Sequence, residues 1–105
     1  MANKDLVFPV VHNNGSGGSA LRNQAQKAYE AVSMAMEMLN EAAPHGRDYY
    51  TLDAGAVMGE SYQKAQAQWR MRMMALENVR DDLRLIYDNI DGQVYQSAVD
   101  KMFIA

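Results

Sequence analysis

The sequence predicts an all-α fold, a long antiparallel helical hairpin with a short N-terminal extended segment and a short C-terminal helix, assembled as a homo-oligomer. Three observations predict it. Apolar residues recur at alternating spacings of three and four over two long stretches. Only two prolines occur in 105 residues, and one of them, Pro44, lies between those stretches. The length fits one domain and leaves no room for a second core.

Residues 1–18 are predicted to form an extended segment ending in a glycine-rich loop. Leu6–Val11 is β-prone, but Pro9 has no N–H for a strand ladder, so the stretch is expected at a sheet edge or unpaired. The glycines and small polar residues after it favour a turn. The apolar run is far shorter than the roughly 20 residues of a membrane helix, and its flanks do not fit a signal peptide.

The hairpin domain is predicted to span residues 19–105, with its first helix running from an N-cap at Ser19 to about Ala43. Pro44 ends that helix because the residue before a proline is pushed out of the helical region, and Gly46 supplies the turn. The apolar stripe of this helix is largely alanine: Leu21, Ala25, Ala28, Val32, Ala35, Leu39 and Ala42.

A second long helix is predicted from about Glu60 to Asn89. Asp91–Gly92 looks like a break before a short third helix that ends near Phe103. In the alternative, the second helix continues through Gly92 at a cost of about 1 kcal/mol. Its predicted stripe, which places the tryptophan in the core, is Tyr62, Ala65, Trp69, Met73, Leu76, Val79, Leu83, Ile86 and Ile90.

Assembly is predicted because an alanine-rich hairpin buries too little apolar surface to offset the entropy of ordering it. Further apolar residues lie off the main stripes, and such a second face on a small domain usually meets another subunit. The alternative is that the N-terminal segment and third helix cover it. Nine methionines favour either partner-binding faces or a loosely specified core. The off-stripe residues are Tyr29, Met34, Met36, Met38, Met71 and Met74.

The composition narrows the functional classes. A formal net charge of −3 argues against a protein that binds nucleic acid polymers. The absence of cysteine, and the separation of His12 from His45, leave neither a disulfide nor a zinc motif. No serine or cysteine nucleophile has a histidine and carboxylate at suitable spacing, so we expect no enzyme, no catalytic residue, no cofactor and no metal. A cytoplasmic protein is expected.

Two clusters suit a phosphate-bearing ligand. The first is the glycine-rich loop running into the helix start, where free N–H groups and the helix dipole attract anions. It has no Walker lysine, so it would bind phosphate without cleaving it. A loop without a ligand is the alternative. The ligand-binding candidates of this cluster are Asn14, Gly15, Ser16, Ser19 and Arg22.

The second cluster lies in the stretch His45–Tyr50, where Arg47 suits a phosphate and Tyr49 or Tyr50 a stacked base. The alternative is structural: Arg47 pairs with Asp48 or caps helix carbonyls. About 25 residues of helix, roughly 37 Å, separate the clusters in a simple hairpin. A shared ligand site would therefore lie at a subunit interface.

Both clusters also resemble a group of small phage-encoded proteins. The resemblance is carried by His12-Asn13-Asn14-Gly15-Ser16, a His-x-Asn-Gly-Ser/Thr element before one helix, and by Gly46-Arg47-Asp48-Tyr49-Tyr50 after it. It covers about residues 10–86. Departures are the extra glycines Gly17 and Gly18 and the extension past Ile90.

In size and helical layout the chain is also loosely similar to phage anti-defence sponges of the Thoeris anti-defence type, which sequester a nucleotide immune signal. That similarity implies a nucleotide-type partner, a cyclic nucleotide or an ADP-ribose derivative. It places His12, Asn14, Gly15 and Ser16 in one half-site, and Arg47, Tyr49 and Tyr50 in the other. The alternative function is a helical interaction module that inhibits or recruits a host or phage protein, such as a host defence protein.

Overall fold

Two long α-helices form the protein. The computed structural model describes residues 5–12, 15–53 and 59–104. Helix α1 (Gly18–Glu41) and helix α2 (Glu60–Ile104) pack against each other along the whole of α1. The part of the chain that the structure describes contains no strand, so the predicted all-α hairpin is confirmed.

The start of α1 differs from the prediction. The helix begins at Gly18 with Gly17 as its N-cap, and no side chain caps it, so the prediction of Ser19 as N-cap was wrong. A Cβ atom on Gly18 would lie only 2.6 Å from Cγ2 of Val94. Glycine therefore lets the first turn of α1 approach α2 closely. The helix ends at Glu41, slightly before the predicted Ala43.

Helix α2 is 45 residues long and unbroken. The predicted break at Asp91–Gly92 and the separate third helix were therefore wrong, and the alternative of one continuous helix holds. Side chains around Gly92 explain why the helix continues: Asp91 is tied to α1, and Gln93 bonds back to Asn89 one turn earlier. These contacts offset the roughly 1 kcal/mol that a glycine costs inside a helix. No described helix has an apolar stretch long enough to span a bilayer.

The contact face drifts relative to the predicted stripes. Ala35, Ala42 and Val79 are exposed, whereas Met36 and Arg80, each one residue from a predicted position, are half-buried. A straight α-helix has 3.6 residues per turn, so a strict three-four repeat rotates by about 20° per heptad. In each helix, the half-buried position is therefore one residue later in the chain than the predicted position.

Two long-range polar contacts fix the antiparallel register. Near the hairpin connection, the Trp69 indole N–H donates to the Leu39 carbonyl at 2.7 Å, and the tryptophan, predicted in the core, is half-buried. At the other end, the Arg22 guanidinium contacts the Asp91 carboxylate at 3.0 Å. Both side chains of that ion pair are partly solvated, so its contribution is at most about 1 kcal/mol.

The N-terminal segment lies against α2 without forming a strand. The Gln93 side chain accepts a hydrogen bond from the Val11 N–H and donates one to the Pro9 carbonyl, both at 2.8 Å. One glutamine amide therefore satisfies two backbone groups on either side of Val10. The proline leaves this stretch unpaired with any strand of the described chain, as its missing N–H predicts.

The chain is thin and long. Its radius of gyration is 21.2 Å, against about 13 Å for a compact domain of this length. Its accessible surface is 8036 Å², about 2,100 Å² more than a compact protein of 11.8 kDa exposes. Among the described residues, only Ala25 and Ile90 are buried hydrophobic side chains. The hairpin alone therefore has a very small core.

Candidate functional site

The glycine-rich loop forms a small exposed turn at the start of α1. The His12 ring lies over Gly15, where a Cβ atom would be 2.6 Å from Nε2 of the imidazole. His12 and Ser16 are exposed, and Ser19 is exposed within the first turn of α1. Asn14 lies outside the described residues. Ser16 and Ser19 are therefore accessible to solvent beside the start of α1, whereas Gly18 itself packs against Val94.

Arg22 is the one candidate in this cluster that already has a charged partner, Asp91. A phosphate bound at the start of α1 would compete with that carboxylate for the guanidinium. Among the described residues of this cluster, the loop backbone, the serine hydroxyls and the exposed His12 ring can bind an anion without disturbing the hairpin.

The second cluster is built on two short 3₁₀ turns, Gly46–Asp48 and Tyr50–Asp53. Backbone bonds from Asp48 to His45 and from Tyr49 to Gly46, both 3.0 Å, close the first turn. The Tyr49 ring is half-buried and tilted against Tyr62 of α2, with ring centroids 6.2 Å apart. This contact anchors the connection on the start of α2.

Arg47 and Tyr50 are the free members of the second cluster. Tyr50 is 68% exposed. Within residues 5–12, 15–53 and 59–104, Arg47 has no ion pair within 4.0 Å, so neither the predicted alternative of an Arg47–Asp48 pair nor a helix cap is seen. The exposed Arg47 side chain suits a phosphate, and the exposed Tyr50 ring suits a stacked aromatic group.

The structure places the two clusters at opposite ends of the hairpin. The glycine-rich loop lies beside Val94 in the last third of α2, whereas Gly46 lies against Tyr62 near its first turn. The 24 residues of α1 between them span about 36 Å. A single chain therefore does not bring the predicted half-sites together.

A groove between the helices was not singled out from the sequence. It has a volume of about 330 Å³ and lies between the first half of α1 and the third quarter of α2. It is lined by Gln26, Tyr29, Glu30, Arg84, Tyr87 and Asp88. The groove could have been predicted only from the antiparallel register, which brings Tyr29 opposite Arg84. In the predicted hairpin, Tyr29 lies on an uncovered face.

Exposed methionines occupy the outward sides of both helices. Met34 and Met38 are exposed on α1, and Met71 and Met74 are exposed on α2. Because Trp69 meets Leu39, these two pairs lie at about the same level of the hairpin. We call them the methionine faces. Of the other predicted off-stripe residues, Tyr29 and Met36 are half-buried.

No three histidine, aspartate or glutamate side chains among the described residues lie close enough to hold a metal ion. No protein-family model, curated protein or solved structure matches the chain. The resemblance to phage proteins therefore stays a prediction, and function has to be argued from exposed surface and side-chain chemistry.

Proposed function

We propose that the protein is a non-enzymatic helical interaction module that binds other protein chains, copies of itself included, through its methionine faces. The observation that carries the proposal is the surface excess of about 2,100 Å² over a compact protein of the same mass. An excess of this size per chain falls within the range of obligate interfaces, which bury roughly 1,000–2,500 Å² per partner.

The chemistry of the exposed side chains supports binding to protein. Met71 is 70% exposed, although a methionine side chain gains about 1.5–3 kcal/mol when it is fully buried. Methionine is also flexible and polarisable, so a methionine-rich surface adapts to partners of different shape. Two such faces at one level of the hairpin can bind two chains at once.

Adding charge to one methionine face should abolish binding to protein. We expect the double variant Met34→Glu/Met38→Glu to lose more than about tenfold in affinity, because each glutamate would have to be desolvated at the interface. Immobilised wild-type and variant chains are compared for the proteins they retain from a lysate of phage-infected bacteria, with mass spectrometry for identification.

The matched control is Gln24→Glu/Gln68→Glu, which adds the same charge at exposed polar positions of the two helices. It should retain the proteins that the wild type retains. If the methionine double variant retains them equally well, the methionine faces are not the binding surface.

A second candidate function is favoured by two exposed side chains of the second cluster: Tyr50, and Arg47, which has no ion pair with any described residue. In it, the protein is a phage anti-defence protein that binds and sequesters a phosphate-bearing nucleotide immune signal. Arg47 takes a phosphate, a tyrosine stacks on the base, and the glycine-rich loop of another copy holds a second phosphate. The roughly 36 Å between the clusters of one chain is why the site would need a subunit interface.

Removing the Arg47 guanidinium should weaken nucleotide binding by about 2 kcal/mol or more, the scale of a lost charge-assisted contact. Calorimetry with a panel of cyclic nucleotides and ADP-ribose isomers measures it. The control is Arg70→Ala, which removes the same charge from an exposed position on α2. Equal losses in both variants, or no heat from any ligand, would contradict nucleotide capture. Recovery of altered ligand would indicate a hydrolase instead.

A further inference from the structure

The side-chain amide of Gln93 on α2 pairs with extended backbone. Its carbonyl oxygen accepts a hydrogen bond from the Val11 N–H, and its amino group donates one to the Pro9 carbonyl, both at 2.8 Å. In an extended chain these two groups lie on the same edge, so one amide bonds both of them as a residue of a neighbouring strand would. Gln93 therefore recognises main-chain groups, which any extended segment can supply.

The Gln93 amide is also held in place from within α2. Its amino group donates a second hydrogen bond, at 2.8 Å, to the Oδ1 atom of Asn89 one turn earlier in the helix. This bond does not involve the N-terminal segment, so it can orient the amide when the segment is absent. A preorganised amide binds a peptide at a smaller entropic cost. Asn89 is therefore a positioning residue for Gln93.

A small apolar subsite lies beside the amide. A Cβ atom on Gly18 would be 3.2 Å from Cγ1 of Val11 and 2.6 Å from Cγ2 of Val94, so both valine side chains lie over the bare α-carbon of this glycine. Val11 is also the residue whose N–H bonds to Gln93. A ligand thus needs an aliphatic side chain and a free N–H at the same position, which excludes proline there.

The N-terminal segment covers this site with little burial of its own. No residue from Asp5 to His12 is buried, and Val7 and Val10 are 84% and 71% exposed. Segments with few buried contacts open locally at a low free-energy cost. Only residues 12–17 join the segment to α1, and the position of a Cβ on Gly17 is open space. The segment can therefore leave α2 without unfolding α1.

From these observations we propose that Gln93, Val94 and Gly18 form a binding site for an extended apolar segment of a partner protein, and that the chain's own N-terminal segment occupies this site as an autoinhibitory ligand. The bound segment shows which chemistry fits, and main-chain hydrogen bonds provide affinity without requiring its exact sequence. A short tether gives the chain's own segment an effective concentration of roughly millimolar, so it lowers the apparent affinity for the partner.

A labelled peptide with the sequence of residues 5–12, added to the full chain, tests the proposal. Wild type should bind it weakly, because the chain's own segment competes. Val11→Pro in the chain removes the N–H that Gln93 accepts and leaves the site itself unchanged. This variant should bind the peptide more than about tenfold more tightly by fluorescence anisotropy. Adding Gln93→Ala to Val11→Pro should abolish the gain.

The matched control for Gln93→Ala is Gln96→Ala. Gln96 is an exposed residue of the same helix that makes the same kind of bond one turn along the helix, to Asp100 at 2.9 Å. Added to Val11→Pro, it should leave the gain intact. If Val11→Pro loses helicity by circular dichroism, Val11→Asp replaces it, because a carboxylate is disfavoured in the apolar subsite and also releases the segment.

Equal affinity of the peptide for wild type and the released variant, no binding to the released variant, or tight binding that survives Gln93→Ala would each overturn the proposal. A peptide that lowers the molar mass of the wild-type protein would also overturn it, because copies would then exchange their N-terminal segments. These outcomes do not bear on the methionine faces, which lie near the level of Leu39 and Trp69. The two proposals therefore fail separately.

Discussion

Replacing Ile90 with alanine should destabilise the protein by about 3 kcal/mol, within the roughly 2–5 kcal/mol range for large-to-small changes at buried aliphatic positions. Ile90 is 1% exposed and is the largest fully buried side chain of the described residues. Small domains have only about 5–15 kcal/mol of stability in total. In a chain with so small a core, this substitution removes a large part of it.

The control is Leu85→Ala, a change of similar size on the same helix at a position that is 43% exposed. It should cost less than about 1 kcal/mol, because much of that side chain is solvated already. Urea denaturation at one fixed chain concentration measures both variants, since association shifts apparent stability. Similar losses at positions 85 and 90 would mean that Leu85 is also buried in solution, under another chain.

The secondary structure followed from local signals in the sequence. Pro44 ends the first helix, Glu60 begins the second, and the three-four repeat within each helix predicts that the two pack against each other. Proline and apolar periodicity act over a few neighbouring residues, so their effects on helix ends and helix faces can be predicted from the sequence alone. The starting residue of α1 depends instead on how closely Gly18 approaches Val94, which is a tertiary contact.

The continuity of α2 also depends on tertiary contacts, so it could not be predicted from the local sequence. Locally, Asp91–Gly92 is a stop signal. In the structure, Asp91 binds Arg22 and Gln93 binds the N-terminal segment, contacts that join residues 69 or more positions apart in the chain. Tertiary contacts of this kind override propensities of about 1 kcal/mol. The contact face drifts from the predicted stripes because a strict heptad repeat does not match the 3.6 residues per turn of an α-helix.

The candidate ligand residues could be identified from the sequence by their side-chain chemistry. Which side chains lie next to each other in the fold could not. The predicted hairpin correctly placed the glycine-rich loop and Arg47 at opposite ends. Nothing in the sequence indicated that Arg22 binds Asp91, or that Tyr29 and Arg84 line one groove. Those facts depend on the antiparallel register, which the contact between the two helices near the hairpin connection fixes.

A second large effect is expected on dilution. If other copies cover the exposed apolar surface, the described part of an isolated chain keeps only the small core around Ala25 and Ile90. Folding and association are then coupled, and the free energy of unfolding depends on chain concentration. Diluting the protein should therefore reduce its helicity together with its molar mass.

Sedimentation equilibrium over a dilution series, combined with circular dichroism at the same concentrations, tests this most directly. The account predicts a molar mass of at least twice 11.8 kDa at high concentration, falling on dilution with a parallel loss of helical signal. A mass of 11.8 kDa at every concentration, with full helicity and cooperative unfolding, would contradict it.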